Sequence, residues 1–482
     1  MKTNLNWFIG QLNLKNIGFL LLASLLVITG CKKKDISNDS GGNFTYSDPL
    51  CFAAVEDSAT IGMKRYGYGE LNPIPNIEYS YDKVEWRTFT AESTVITLEN
   101  TGDKVYFRGN NPLGLNVNLE ENNSFIRFET NEKKTAVSGN LMSLIDPTCR
   151  VTKVPDYCFY DLFNGANITT PPELPATILG KSCYGGLFSC CRYLETAPEL
   201  PATKMEEGCY GSMFLYCTNL KTPPILPATI LAYGCYNSMF DSSGILEAPE
   251  LPATTLADGC YANMFYYCKY LTTAPELPAT TLAPSCYSSM FESCYNLTAA
   301  PELPATTLAN YCYQYMFNGC DGLTTTPELP ATTLADYCYR EMFSGCLGLT
   351  TVSELPATTL AKNCYEKMFF SCENITTAPA ILPATILTEH CYDNMFCHCV
   401  KLETAPELTA TALVDRCYFM MFEYCESLNS IKIRLTEWGD DYDTFLWLEG
   451  VSSNGTFYCP TTLPLEYGID RIPYGWTIVP LY

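Results

Sequence analysis

The sequence predicts a repeat solenoid of the α/β type, with short parallel strands alternating with short helical turns. An N-terminal all-β sandwich domain precedes it and a C-terminal cap follows it. Three observations carry this reading. A unit recurs eleven times, with its leading cysteine at Cys158, Cys183, Cys209, Cys235, Cys260, Cys286, Cys312, Cys338, Cys364, Cys391 and Cys417. The spacing is 26 residues with one-residue slips, a period that marks a solenoid whose units bury their apolar faces against one another. The recurring part is Cys-Tyr-x-x-Met-Phe-x-x-Cys-x-x-Leu followed by a Pro-Glu-Leu-Pro step, at its cleanest from Leu329 to Glu354. Outside residues 154–428 the pattern stops.

Composition bounds the function. The chain has 482 residues, 47% of them hydrophobic, enough for a long stacked core. Its net charge is −23, from 29 basic and 52 acidic side chains. Nucleic-acid binding needs a basic stripe and is disfavoured. Of the 26 cysteines, twenty fall at two fixed positions of the unit, so packing is their first explanation.

Residues 1–30 read as a lipoprotein signal peptide. Lys2 and Lys15 precede an apolar run from Ile17 to Ile28, the length of a signal segment and too short to span a bilayer with flanks. It ends Ile28-Thr29-Gly30-Cys31, similar to a bacterial lipobox, in which the cysteine is lipidated. Lipidated Cys31 would anchor the chain to a membrane. Residues 31–43 are polar and rich in Gly, Ser and Asp, as in a flexible tether.

Residues 44–150 alternate with the period of strands rather than helices. The segments are Leu50–Val55, Ile77–Tyr81, Val84–Phe89, Val95–Leu98, Val105–Arg108 and Phe125–Thr130, with hairpin turns at Asp82-Lys83 and Thr101-Gly102-Asp103. Trp86 and Phe89 are placed in the core of a β-sandwich. No catalytic group stands out, so the module reads as a spacer or secondary binding domain.

Residues 154–428 form the array. Leu271–Leu277 is extended, its threonines favour strands, and Pro275 ends the strand by removing a ladder donor. In the returning arm Cys286, Met290 and Phe291 stand at i, i+4 and i+5, which suits one or two helical turns. The leucines, first cysteine, methionine and phenylalanine point inward, each burial stabilising by about 1.5–3 kcal/mol. Backbone ordering costs about 1–2 kcal/mol per residue, so no copy folds alone.

These residues resemble the BspA-like leucine-rich repeats of Bacteroidetes surface lipoproteins, through CYxxMFxxCxxLTTAPELP over about 275 residues. The resemblance implies an α/β-type leucine-rich-repeat solenoid on the cell surface, with an adhesin-like role towards host matrix or bacterial proteins. The chain departs from the family pattern in its longer unit, in Met-Phe where Ala-Phe is frequent, and in proline inside the strand.

Candidate sites follow from the array. The second cysteine stands where such repeats place a buried turn residue bonded to backbone, with Ala166 and Ser243 replacing it in two copies. Within a copy the cysteines are eight residues apart, roughly 12 Å if helical, too far for a disulfide. Most are expected reduced and buried. Glu173, Glu199, Glu250, Glu276, Glu302, Glu328, Glu354 and Glu407 form an acidic stripe broken by Ile225 and Ile381. It is either a solvated polar face or a surface for a basic partner or for calcium. The tyrosines after the first cysteine, including Tyr261, Tyr287, Tyr313, Tyr339 and Tyr365, make a second stripe. It either packs between copies or, if exposed, binds glycans or proteins. His390, Cys391, Cys397, His398 and Cys399 are metal-ligand types. Two of them are ordinary ladder positions, and neighbours on a turn rarely converge, so no metal or other cofactor is assigned. With two histidines in one atypical copy, no His-based catalytic motif is present and an enzyme is not expected. Repeated Leu-Pro-Ala-Thr-Thr resembles a sortase signal, but it recurs throughout and is set aside.

Residues 429–482 read as a cap, with strands at Ser430–Leu435, Gly455–Pro460 and Trp476–Pro480 and a helix at Tyr442–Glu449. Together these features predict a lipid-anchored outer-membrane or cell-surface protein whose array binds a protein or glycan on host or bacterial surfaces. The alternatives are a glycan-binding component of a carbohydrate-uptake system and a structural stalk.

Overall fold

Two antiparallel sheets lead into the array. The computed structural model describes residues 48–68, 75–117, 119, 123–440 and 442–482, so the signal peptide, Cys31 and the tether lie outside the described residues. The strands are β1 (Leu50–Ala54), β2 (Ala59–Gly67), β3 (Ile77–Ser80), β4 (Arg87–Phe89), β5 (Ile96–Leu98), β6 (Lys104–Gly109), β7 (Ser124–Thr130) and β8 (Thr135–Ser138). One sheet runs β4-β3-β6-β1-β8 and the other β5-β2-β7. They pack face to face through Phe52 of β1 and Phe107 of β6, whose rings lie 5.0 and 5.3 Å from Phe128 of β7.

Strands β2 and β8 lie outside the segments that the alternation predicts. Thr101-Gly102-Asp103, expected to turn a hairpin, instead crosses from β5 in one sheet to β6 in the other. The Asp82-Lys83 turn does join the paired strands β3 and β4. There the Asp82 carboxylate accepts the N–H groups of Val84 and Glu85 at 2.8 and 2.9 Å. Phe89 is buried, but Trp86 is only half-buried and lies under the Arg108 guanidinium, 4.0 Å from its ring centre.

The array follows a regular plan that is not helical. In the arm from Tyr311 to Cys320, the N–H groups of Tyr311, Tyr313, Tyr315, Phe317 and Gly319 bond to Asp336, Cys338, Arg340, Met342 and Ser344 of the next copy, at 2.8–3.0 Å. The N–H groups between them, on Cys312, Gln314, Met316, Asn318 and Cys320, bond three residues back within the arm. Every fourth residue is left-handed: Tyr311, Tyr315 and Gly319 have φ of 61°, 57° and 68°. The helical turns expected at Cys286–Phe291 and Tyr442–Glu449 are therefore absent. A helix keeps its N–H groups to itself, whereas this turn arm gives half of them to its neighbour. A non-glycine left-handed residue costs about 1–2 kcal/mol. Each bond to the next copy returns about 0.5–1.5 kcal/mol, so backbone terms nearly balance and side-chain stacking decides.

That stacking forms continuous ladders. Tyrosine rings from Tyr184 to Tyr418 stack at 5.6–6.0 Å, tilted by 3–19°. Phenylalanines from Phe163 to Phe422 stack at 5.3–5.8 Å. Centroids so far apart in near-parallel rings are offset stacks, the arrangement the ring quadrupole favours. The first cysteines and the methionines line the same core.

The second cysteine has a specific task. Cys191, Cys217, Cys268, Cys294, Cys320, Cys346, Cys372, Cys399 and Cys425 each donate their thiol hydrogen, at 2.9–3.2 Å, to the carbonyl of the phenylalanine one copy earlier. That carbonyl also accepts the N–H three residues on in its own copy, so the thiol supplies the second of its two hydrogen bonds. Among the described residues all cysteines are free thiols. Burial pushes the Cys268, Cys312 and Cys372 thiols up to about 12, so they stay protonated and unreactive.

The proline-bearing arm is less regular than the continuous short strand expected. It makes isolated parallel bridges such as Thr281 to Thr307 and Thr333 to Thr359. Among the described residues of this arm, strands form only at β9 (Ile381–Leu382) and β10 (Glu407–Leu408), which pair in parallel. Prolines on either side of the Glu-Leu step remove the donors a longer ladder needs.

Both ends of the array are closed by polar groups of the matching kind. Its first arm presents carbonyls. Asn116 donates to those of Tyr157 and Tyr160 at 3.3 Å, and the Phe128 N–H donates to Leu162 at 2.7 Å. Phe128 also extends the phenylalanine ladder, stacking on Phe163 at 5.5 Å. The last arm presents N–H groups, and it is a twelfth, degenerate copy. Asp443 stands at the cysteine position and Trp447 at the methionine position, accepting from Tyr418 and Phe422. The Asp470 carboxylate accepts the Leu446 N–H at 2.7 Å. A parallel sheet of β11 (Ser430–Lys432), β12 (Thr456–Pro460) and β13 (Thr477–Leu481) completes this end.

Candidate functional site

Each copy exposes two faces, one on the proline-bearing arm and one on the turn arm. On the first, a glutamate precedes each inward leucine because alternate residues of an extended segment point to opposite sides. Glu173, Glu199, Glu250, Glu276, Glu302, Glu328 and Glu354 are exposed, and Glu407 is half-buried. Glu354 accepts the Ala380 N–H at 3.1 Å. Glu407 closes the line, held by Lys432 at 2.7 Å and Arg434 at 2.8 Å. Burial alone would raise the Glu407 carboxyl, but hydrogen bonds from these two cations hold it below its ordinary range. Among the described residues the other seven glutamates make no ion pair. Ile225, 83% exposed, and Ile381, 38% exposed, occupy the glutamate position in their copies.

The tyrosine stripe is not a surface. Tyr261, Tyr287, Tyr313, Tyr339 and Tyr365 are almost wholly buried in the ladder. Of the two readings of this stripe, packing between copies holds and the exposed platform does not, because the residue after the first cysteine sits on the inner side of the turn arm. Burial drives the Tyr313 hydroxyl well above its ordinary range.

The residues around the two histidines do not converge. His390 bonds Asp393 at 2.8 Å, His398 stacks on Tyr424 at 4.9 Å, and Cys397 donates to Glu423 at 3.5 Å. Burial raises the Asp393 carboxyl, against the bond from His390. Among the described residues no three His, Cys, Asp or Glu side chains gather where a metal ion could be held.

The outer side of the turn arm went unnoticed in the sequence. Its residues precede the inward cysteine, methionine and second cysteine, and lie between them. Over the later copies they build a shallow charged cup of about 390 Å³ around Arg340, Glu366, Lys367, His390, Asp393 and Arg416. Arg340 pairs with Glu366 at 3.1 Å. A partial signal for this face does exist: Gly and Asn, which tolerate positive φ best, recur at every-fourth positions such as Asn263, Gly319, Gly345 and Asn363, although Tyr311, Lys367 and Arg416 stand at others.

Comparison with protein families matches the BspA type Leucine rich repeat region, in 6 copies, over residues 136–272, 235–376 and 341–441. No curated protein matches the chain. The matched segments begin within β8, run through the whole array and reach the cap, so the chain belongs to the BspA-type leucine-rich repeat family.

Proposed function

We propose that this protein is a lipid-anchored cell-surface adhesin whose array binds a basic macromolecular partner along its acidic face. Repeats of this family are commonly surface adhesion and protein-binding modules and typically non-enzymatic scaffolds. The supporting observation is the line of exposed glutamates from Glu173 to Glu354, broken at Ile225, none of them in an ion pair among the described residues. Glu407, at the end of the line, takes two cations from Lys432 and Arg434 on the neighbouring segment, which supports a basic partner for the others. Like charges at this spacing repel mildly, so a cationic partner relieves strain that a solvated face would retain. Calcium bridging neighbouring carboxylates is the lesser form of the same proposal.

Binding of the full-length chain to immobilised host matrix proteins tests it. Changing Glu250, Glu276, Glu302 and Glu328 to Gln should weaken binding about tenfold and flatten its salt dependence. Unchanged affinity removes the acidic face from the function. The anchor is tested separately: Cys31→Ala should release the protein from membranes, and persistent membrane association ends the lipoprotein assignment.

A further inference from the structure

The copies diverge most on the outer side of the turn arm. The residue ahead of the first cysteine is Ser182, Gly208, Gly234 and Gly259 in four successive copies. Further along it is Tyr311, Tyr337, Asn363, His390 and Arg416. These small residues, with Gly185 and Gly211, floor an elongated groove of about 520 Å³ that crosses the first five copies. At the spacing of stacked strands, four steps make it roughly 20 Å long.

The backbone does not demand this groove. Gly234 has φ of +54°, and an added Cβ would meet nothing closer than Asn237 at 3.8 Å; at Gly259, with φ of +59°, nothing lies within 4 Å. Tyr311 and Tyr337 adopt the same conformation at φ 61° and 58° with full side chains. At Gly234 and Gly259 the trough is therefore a local choice of residues, whereas an added Cβ at Gly208 would lie 2.9 Å from the Ser182 hydroxyl and at Gly185 3.1 Å from the Tyr160 ring.

The groove's chemistry is polar and uncharged. Asp161 is neutralised by Arg127, and Glu207 by Lys181 at 3.1 Å. What remains is hydroxyl and amide, from Ser182, Ser212 and Asn237, between Tyr160 near one end and Tyr233, 65% exposed, near the other. Ser189, only 3% exposed, lines the groove and reaches just the Cys190 sulfur at 3.7 Å. Its hydroxyl has that one partner among the described residues. A peptide strand finds no edge here, because the N–H groups of Ser182, Gly208 and Ser212 already bond to Glu207, Tyr233 and Asn237.

We propose that this groove binds a neutral oligosaccharide. Sugar hydroxyls both donate and accept, matching serine and amide groups. The apolar face of a sugar ring suits an exposed tyrosine. The absence of uncompensated charge favours a neutral ligand over an anionic one. This site is separate from the acidic face, and the two proposals fail separately.

Calorimetric titration of the full-length chain in detergent with cellohexaose, xylohexaose, mannohexaose and maltohexaose tests it, with hexagalacturonate as the anionic control. At least one neutral hexasaccharide should bind, and more tightly than hexagalacturonate. Gly234→Tyr, which fills the trough, and Tyr233→Ala, which removes one platform, should each weaken it about tenfold or more. Thermal melting of Tyr233→Ala should be unchanged, while Gly234→Tyr should melt somewhat lower, because Gly234 is left-handed, and still fold cooperatively. Glu276→Gln with Glu302→Gln should leave sugar affinity intact. The proposal is overturned if the wild type binds none of the neutral sugars, if hexagalacturonate binds as well as they do, or if either folded groove variant binds like the wild type. Should Gly234→Tyr not fold, Tyr233→Ala decides alone.

Discussion

Between Tyr311 and Gly319 the turn arm sends five N–H groups to the following copy, while the proline-bearing arm at the same junction behaves differently. Among the described residues, no backbone bond joins Thr298–Leu308 to Thr324–Leu334. At the next junction Thr350, Thr358 and Thr359 donate back to Thr324 and Thr332, and Leu334 donates forward to Thr359. One arm is bonded at every step and the other intermittently, although both bury their inward side chains. Proline explains the contrast, since Pro301, Pro304, Pro327 and Pro330 have no N–H to give. Rigidity therefore resides in the turn arm, and the proline-bearing arm serves as a smooth, regularly charged covering.

Alkali should break this contrast most completely. The ordinary thiol value is 9.0, and Cys312 and Cys372 are pushed by burial to about 12. Below pH 9 both folded and unfolded chains hold the proton, and stability is full. As pH climbs from 9 towards 12 only the unfolded chain releases it, so stability falls across that window. Circular dichroism should show cooperative unfolding there, accompanied by thiol exposure to a disulfide reagent. Thiols that titrate near 9 without unfolding would show that the core is open.

Among substitutions, Phe317→Ala should cost the most, about 3–5 kcal/mol in urea denaturation, because it interrupts a ladder and leaves a cavity. Ser289→Val should cost about 1–2 kcal/mol, since a β-branched residue resists φ of 53°. Ser289→Gly should be nearly neutral, which separates backbone strain from lost side-chain contacts. Cys346→Ser should cost about 1 kcal/mol, because a hydroxyl keeps the bond to the Phe317 carbonyl. Smallest is Thr333→Ala on the proline-bearing arm, about 0.5 kcal/mol or less. If Thr333→Ala matched Phe317→Ala, rigidity could not be assigned to the turn arm.

Much of the architecture was legible without coordinates. The 26-residue period and the inward set of cysteine, methionine, phenylalanine and leucine are properties of composition and spacing, because every copy must bury the same stripe against its neighbour. The role of the second cysteine followed from its fixed position, and Ala166 and Ser243 marked how small that residue must be. The acidic line was likewise countable.

Only the tertiary structure decided the path of the turn arm, the inward orientation of the tyrosines and the existence of the groove. Cys286, Met290 and Phe291 satisfy a helical spacing, yet a left-handed residue at Ser285, Ser289 and Ser293 redirects alternate N–H groups to the next copy, 25 residues on. Those bonds are non-local, so no window of one copy contains them. The groove has the same origin: Gly208, Gly234 and Gly259 are scattered in the chain and become one floor only when the copies stack.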